Sequence, residues 1–176
     1  IWGSFSMDGR EEEYQWAGPY LHSRQVVAVR SDSDIRTLQD LADKVVAVQS
    51  TTKPEELFLN AEQNGLPRLR RLYSLQNRDL LYTTLLKGYA DALAAHESAI
   101  RQFMKDYSVE YRILDEPLMT ARLGVAFAKD RSDDLPQQLT EVFQEMLADG
   151  TVRQIVSRYL DDPEHYLDGL EDSTHA

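Results

Sequence analysis

Few side chains in this sequence are placed to do chemistry together. His96 beside Glu97, and Asp115 beside Glu116, are the pairs that could move a proton. Adjacent residues on one chain rarely aim at one reacting atom, however, and acid–base catalysis needs both groups within hydrogen-bond reach of the same centre. The four histidines, at 22, 96, 165 and 175, lack metal-ligand spacing, and there is no cysteine. Thiolate zinc sites, disulfide scaffolds and cysteine nucleophiles are therefore excluded. The sequence also has no Gly-rich phosphate loop, no Gly-x-Ser-x-Gly elbow and no His-Glu-x-x-His helix. It reads as a binding protein, not an enzyme, with no cofactor and no metal.

What remains is the chemistry of holding an anion. Thr51 and Thr52 precede Lys53-Pro54-Glu55-Glu56 at an expected strand-to-helix turn, where hydroxyls and backbone N–H groups favour an anion. Plain N-capping is the competing reading. Arg10 follows Ser4 and Ser6, and a guanidinium fork matches the two oxygens of a carboxylate. Taken by itself, Arg10 is better suited to an ion pair with Glu11, Glu12 or Glu13 on a solvated helix start.

The elements that must position these residues alternate. Gln25 to Arg30 is a β-rich run closed by Ser31-Asp32-Ser33-Asp34, and Lys44 to Gln49 is a second strand after a short helix over Thr37 to Asp43. The proline and acids after Thr52 predict a helix ending near Gly65. Leu69 to Tyr73 is a weak strand, Asn77 to Lys87 a helix with Leu81, Leu85 and Leu86 on one face, and Asp91 to Ala95 a buried strand. A helix over His96 to Asp106 and strands over Tyr111 to Leu114 and Arg122 to Lys129 follow. This rhythm implies parallel βαβ units with helices on both faces of the sheet, and ligands beyond the carboxyl ends of the strands. Two helices then follow without a strand between them, lined by Leu135, Leu139 and Phe143 and by Val152, Ile155 and Tyr159, with Asp149-Gly150 separating them. The acidic tail beyond Leu160 is expected to fray unless Tyr166 and Leu167 pin it.

The bulk properties narrow the class. The 176 residues are 42% hydrophobic, enough for a core in one domain or two small lobes. A formal charge of −11 argues against a nucleic-acid binder, which carries a basic face. No apolar stretch approaches the roughly 20 residues that cross a bilayer. Because Ile1 is not a start methionine and no leader precedes the fold, the chain is expected to be a processed or excised piece.

Several phrases, in this order and spacing, carry a resemblance over nearly the whole chain. They are Ser4-Phe5-Ser6-Met7-Asp8-Gly9-Arg10 before Trp16-Ala17-Gly18-Pro19-Tyr20, then Leu38-Gln39-Asp40-Leu41 leading to Val45-Val46-Ala47-Val48-Gln49-Ser50-Thr51-Thr52. Gly88-Tyr89-Ala90-Asp91-Ala92, Glu116-Pro117 before Leu123 to Lys129, and Asp149-Gly150-Thr151 leading to Tyr159-Leu160 complete it. Together they resemble bacterial extracellular solute-binding protein family 3, the periplasmic-binding-protein type 2 proteins that supply polar amino acids to ABC transporters.

The resemblance implies an α/β fold of two lobes joined by two crossover strands and closing over a ligand. The crossings fall near Gln25 to Arg30 and Leu118 to Lys129. Residues 1–24 would then be the end of lobe 1, 25–129 a complete lobe 2 with both crossovers, and 130–176 helices and a tail packing on a partial lobe 1. The stretch that builds most of lobe 1 in the family, before the Ser-x-Ser segment, is absent from this chain.

By the same resemblance, Ser4, Ser6 and Arg10 hold a ligand carboxylate from lobe 1 and Thr51 and Thr52 from lobe 2. Ser6 and Arg10 stand four apart, where the family usually has five. The family's ammonium-holding aspartate falls on His96, or on Glu97 after a one-residue shift. A neutral histidine brings no opposite charge to an ammonium, so either Glu97 takes that role or the ligand is not an ordinary α-amino acid. Glu97 equally suits a first-turn helix acid.

The implied function is extracytoplasmic capture of a small polar solute of the amino-acid type, in the periplasm or on the outer face of the cell membrane, with an ABC permease as partner. The rival reading is the sensing domain of a membrane-bound histidine kinase or diguanylate cyclase, with fused signalling domains as partners. No nucleic-acid partner is expected, and an unpaired sheet edge admits a homodimer.

Overall fold

The computed structural model describes residues 1–3 and 5–170; Ser4, one of the expected ligand residues, and 171–176 lie outside the described residues. The chain divides into two compact units, 1–23 with 120–176, and 24–119. It passes between them twice, along β1 (Gln15–Arg30) and at the start of β6 (Met119–Phe127).

The second unit is a sheet in the order β3-β2-β4-β1-β5, built from β2 (Val45–Gln49), β3 (Arg71–Leu75), β4 (Ala92–His96), β5 (Tyr111–Ile113) and the inner half of β1. Period-two alternation sends successive side chains to opposite faces, and both faces here are apolar. Val26, Ala28, Val45, Ala47 and Leu93 pack under α2 (Arg78–Leu86) and α3 (Glu97–Tyr107), with Leu81, Leu85 and Ile100. Their neighbours Val27, Val29, Val46, Val48, Ala92 and Ala94 pack on the other side with Leu38, Leu41 and Phe58. Phe58 belongs to α1 (Lys53–Leu59), and Leu41 ends a single 3₁₀ turn over Gln39–Leu41. Strands covered on both faces read as continuous Val/Ala runs.

The expected parallel βαβ units are present in β3, β2 and β4. β1, in contrast, runs antiparallel to β4 and to β5, so the sheet is mixed. The sequence pattern missed this because a strand covered on both faces has the same residue pattern in either direction. The helix expected to reach Gly65 stops at Leu59, and turns capped by Asn60 and Asn64 carry the chain onward.

In the first unit β6 pairs with β1, and α4 (Leu135–Ala148) covers Ala17 and Val125 through Phe143 and Leu139. α5 (Thr151–Val156) and α6 (Glu164–Leu167) close a second cluster of Leu147, Leu167 and Leu170. The tail is thus pinned as far as Leu170. Gly124 on β6 admits the approach of another segment: a Cβ there would lie 2.7 Å from Met7 Sδ and 3.0 Å from the Ala17 carbonyl oxygen. No helix among the described residues is long and apolar enough to cross a membrane.

Candidate ligand site

In the first unit, Ser6 forms an isolated antiparallel bridge with Leu123, and its Oγ accepts from the Asp8 N–H at 3.2 Å. Asp8 in turn accepts from Arg122, at 2.6 Å from the backbone N–H and 2.9 Å from Nε. Burial acts to raise the Asp8 pKa, but these bonds and the charge of Arg122 hold it below the ordinary value. The segment that carries Ser6 and Arg10 is therefore anchored to β6 through Asp8.

Arg10 lies over the Phe5 ring, 4.7 Å from its centroid. Phe5 stacks on Trp16 at 5.5 Å and meets Tyr14 edge-on, and Trp16 Nε1 donates to the Arg10 carbonyl at 3.1 Å. Glu11, one of the glutamates that could have paired with Arg10, instead meets Arg122 at 3.0 Å. Among the described residues no carboxylate forms an ion pair with Arg10, whose side chain is exposed. A guanidinium held on an aromatic face and without an internal counter-ion is available to a carboxylate.

In the second unit, Thr51 adopts a left-handed conformation, φ 62°, between β2 and α1, and its N–H donates to Glu55 Oε2 at 2.6 Å. Hydrogen bonds from the Ser74 side chain and from Thr51 hold Glu55 below the ordinary carboxylate pKa. The Thr51 amide is thus already engaged. Thr52 is the N-cap residue but makes no side-chain cap; its hydroxyl donates back to the Gln49 carbonyl at 2.6 Å. The Thr51 hydroxyl does the same to the Ser50 carbonyl.

His96 ends β4 directly opposite Gln25 in the ladder, with Gln25 Nε2 2.9 Å from Nε2 and 3.1 Å from Nδ1 of the ring. Loss of solvent, and then the charge of Arg78, push the His96 pKa below its ordinary value. Glu97 points elsewhere. It is 1% exposed and pairs with Arg24 at 2.9 Å and with Arg101 at 2.7 Å.

The structure brings Thr52 and His96 together on one cavity of about 30 Å³, at the carboxyl ends of β2 and β4. Gln25, Gln49, Arg78 and Tyr82 also line it, whereas Thr51 and Glu97 do not. Sequence reasoning missed Gln25, Arg78 and Tyr82. Gln25 had a signal, as the polar first residue of an otherwise apolar strand run; Arg78 looked like an ordinary first-turn residue after the Asn77 cap. Among the described residues no cluster of three or more histidine or acidic side chains could hold a metal ion.

A family model described as "Bacterial extracellular solute-binding proteins, family 3" matches residues 1–162. The chain is 30% identical over 161 residues to the histidine-binding periplasmic protein of Escherichia coli K12, covering 86% of this chain and 60% of that one. It is 25% identical over 160 residues to the glutamate-binding protein GluB of Corynebacterium glutamicum, covering 86% of this chain and 52% of the relative. The chain thus spans between half and two thirds of the length of these relatives. Among solved structures, the probable amino-acid ABC transporter extracellular-binding protein ytmK of Bacillus subtilis superimposes with a TM-score of 0.76 at 23% identity, covering 90% of this chain and 69% of that one; at that identity the likeness establishes the fold.

Proposed function

The chain belongs to the bacterial extracellular solute-binding proteins, family 3, and we propose that it captures an α-amino acid or a closely similar polar solute outside the cytoplasm, for delivery to an ABC transporter. It acts by binding alone, in the periplasm or on the outer face of the membrane. The observation that carries this reading is the small cavity at the carboxyl ends of the parallel strands β2 and β4, largely apolar with Thr52 and His96 converging on it; open α/β sheets place small ligands in this position. The names of the histidine-binding and glutamate-binding relatives support an amino-acid ligand.

In this reading Arg10, with Ser4 and Ser6, and Thr51 with Thr52 are the groups assigned to the ligand carboxylate. Arg10 supplies the charge and the Thr52 N–H a backbone donor, the threonine hydroxyls being engaged by the Ser50 and Gln49 carbonyls. His96, with Glu97 behind it, stands at the ammonium end. Because Glu97 is held between two arginines, its part in binding is to fix the start of α3 and so the position of His96.

The test is a thermal-shift screen of the protein against the twenty amino acids. A ligand present at 100 times its Kd stabilises by about 2.7 kcal/mol, which for a chain of this length raises Tm by roughly 5–10 °C. No shift with any amino acid at millimolar concentration would reject the proposal.

A further inference from the structure

Nearly all of the excess charge lies in one unit. Sixteen of the 30 acidic residues but only six of the 19 basic ones fall in residues 1–23 and 120–176, whereas the second unit is close to balance. Three of those six are already engaged: Arg122 by Asp8 and Glu11, Arg131 by Asp133, and Arg153 by Glu164.

Helix α4 concentrates the imbalance. It contains no Lys or Arg. Glu141, Glu145 and the C-cap residue Asp149 follow at four-residue spacing, so like charges form a row that runs into the negative C-terminal end of the helix. Both arrangements work against the helix. Asp149 caps the Thr151 N–H at 2.8 Å, but neither Glu141 nor Glu145 forms an ion pair among the described residues, and both are exposed. Local stability does not explain these two glutamates.

Beside the row, the apolar side of α4 is wider than the core it covers. Leu139, Phe143 and Leu147 pack inward, while Leu135 and Val142 are 42% and 46% exposed. With about 3.6 residues per turn, Leu135 and Val142 stand two turns apart on one strip, between the acids and the buried side. Trp2, whose ring meets Phe143 edge-on at 6.0 Å, is 65% exposed and adds an aromatic surface next to the helix.

The charge decides what can cover this strip. A second copy would bring two acid-rich faces together, and an anionic lipid surface would be repelled. A helix with apolar residues at matching spacing and Lys or Arg beside them meets both the strip and the row. Its cations would also answer the C-terminal end of α4.

We propose that the α4 face formed by Leu135, Glu141, Val142 and Glu145 docks a basic amphipathic helix of a partner protein. None of these residues is among those assigned to the ligand, so the proposal stands apart from the amino-acid reading.

The probe is a synthetic leucine/lysine amphipathic helix as long as α4, 14 residues, titrated into the whole chain by calorimetry. A scrambled peptide of the same composition, a leucine/glutamate helix and anionic phospholipid vesicles are run beside it. The leucine/lysine helix is expected to bind about tenfold more tightly than the scrambled peptide, and more weakly as salt rises. Val142→Ser and Glu145→Lys are each expected to remove most of that advantage. Without peptide, Glu145→Lys is expected to raise Tm, because it relieves the like-charge row and suits the dipole. The proposal is overturned by no binding of the leucine/lysine helix, by equal binding of the scrambled or glutamate peptide, or by binding of the vesicles. Affinity unchanged in both variants, or a lower Tm for Glu145→Lys, also overturns it. A dimer in sedimentation that Val142→Ser dissolves would assign the face to a second copy instead.

Discussion

Gln25 and His96 stand opposite each other across the antiparallel β1–β4 ladder, and the Gln25 amide nitrogen lies 2.9 Å from His96 Nε2. An amide N–H can donate only to an unprotonated ring nitrogen, so this pair favours neutral histidine. The contact agrees with the direction in which lost solvation and Arg78 move the ring.

The pH dependence of stability follows from that direction. A histidine whose pKa is lower in the folded than in the unfolded state adds stability that is complete above the unfolded value, about 6.5. That stability is lost as pH falls below 6.5 toward the folded value, because there the unfolded chain binds the proton first. His22 is shifted the same way by burial and adds to the slope. Urea unfolding at pH 7.5 and pH 5.5 should show a smaller acid-side loss for His96→Gln than for the parent; an equal loss would contradict the neutral-ring assignment.

Glu97→Gln removes the anion between Arg24 and Arg101. Deleting one partner of a buried ion pair costs about 3–5 kcal/mol; with the two arginines 13% and 30% exposed, a loss of about 2–4 kcal/mol is expected. Chemical denaturation without ligand checks it. A change under 0.5 kcal/mol would mean that the carboxylate is not a structural anion.

Arg10→Ala should leave the fold almost untouched, since the guanidinium touches only the Phe5 ring among the described residues, a contact worth about 0.5–1 kcal/mol at an exposed site. Amino-acid-induced thermal stabilisation should nevertheless disappear. Stabilisation equal to the parent's would remove Arg10 from the site.

Gly124→Ala puts a methyl group 2.7 Å from Met7 Sδ and 3.0 Å from a backbone oxygen. Met7 is flexible and can yield, but the Ala17 carbonyl cannot, so a loss of about 1–3 kcal/mol is expected from overpacking. Recovery of part of that loss in the Met7→Ala, Gly124→Ala double variant would locate the clash; no recovery would place it on the backbone alone.

Sequence by itself determined the elements of the second unit, because the signal is local. Val26 to Val29 and Val45 to Val48 are too uniformly apolar to be anything but strands covered on both faces, and Thr52-Lys53-Pro54 and Asn77 start helices by their own backbone preferences. The order of short phrases was enough to identify the family. Tertiary structure decided which side chains meet, since that depends on segments far apart in the chain. Only the antiparallel register of β1 on β4 sets Gln25 against His96, 71 residues away. Only the return of β1 beside α3 brings Arg24 to Glu97, so an acid that looked like a free helix-start carboxylate is a buried one held by two arginines. Arg78 and Tyr82, unremarkable in the sequence, became part of the cavity because α2 packs over the ends of β2 and β4.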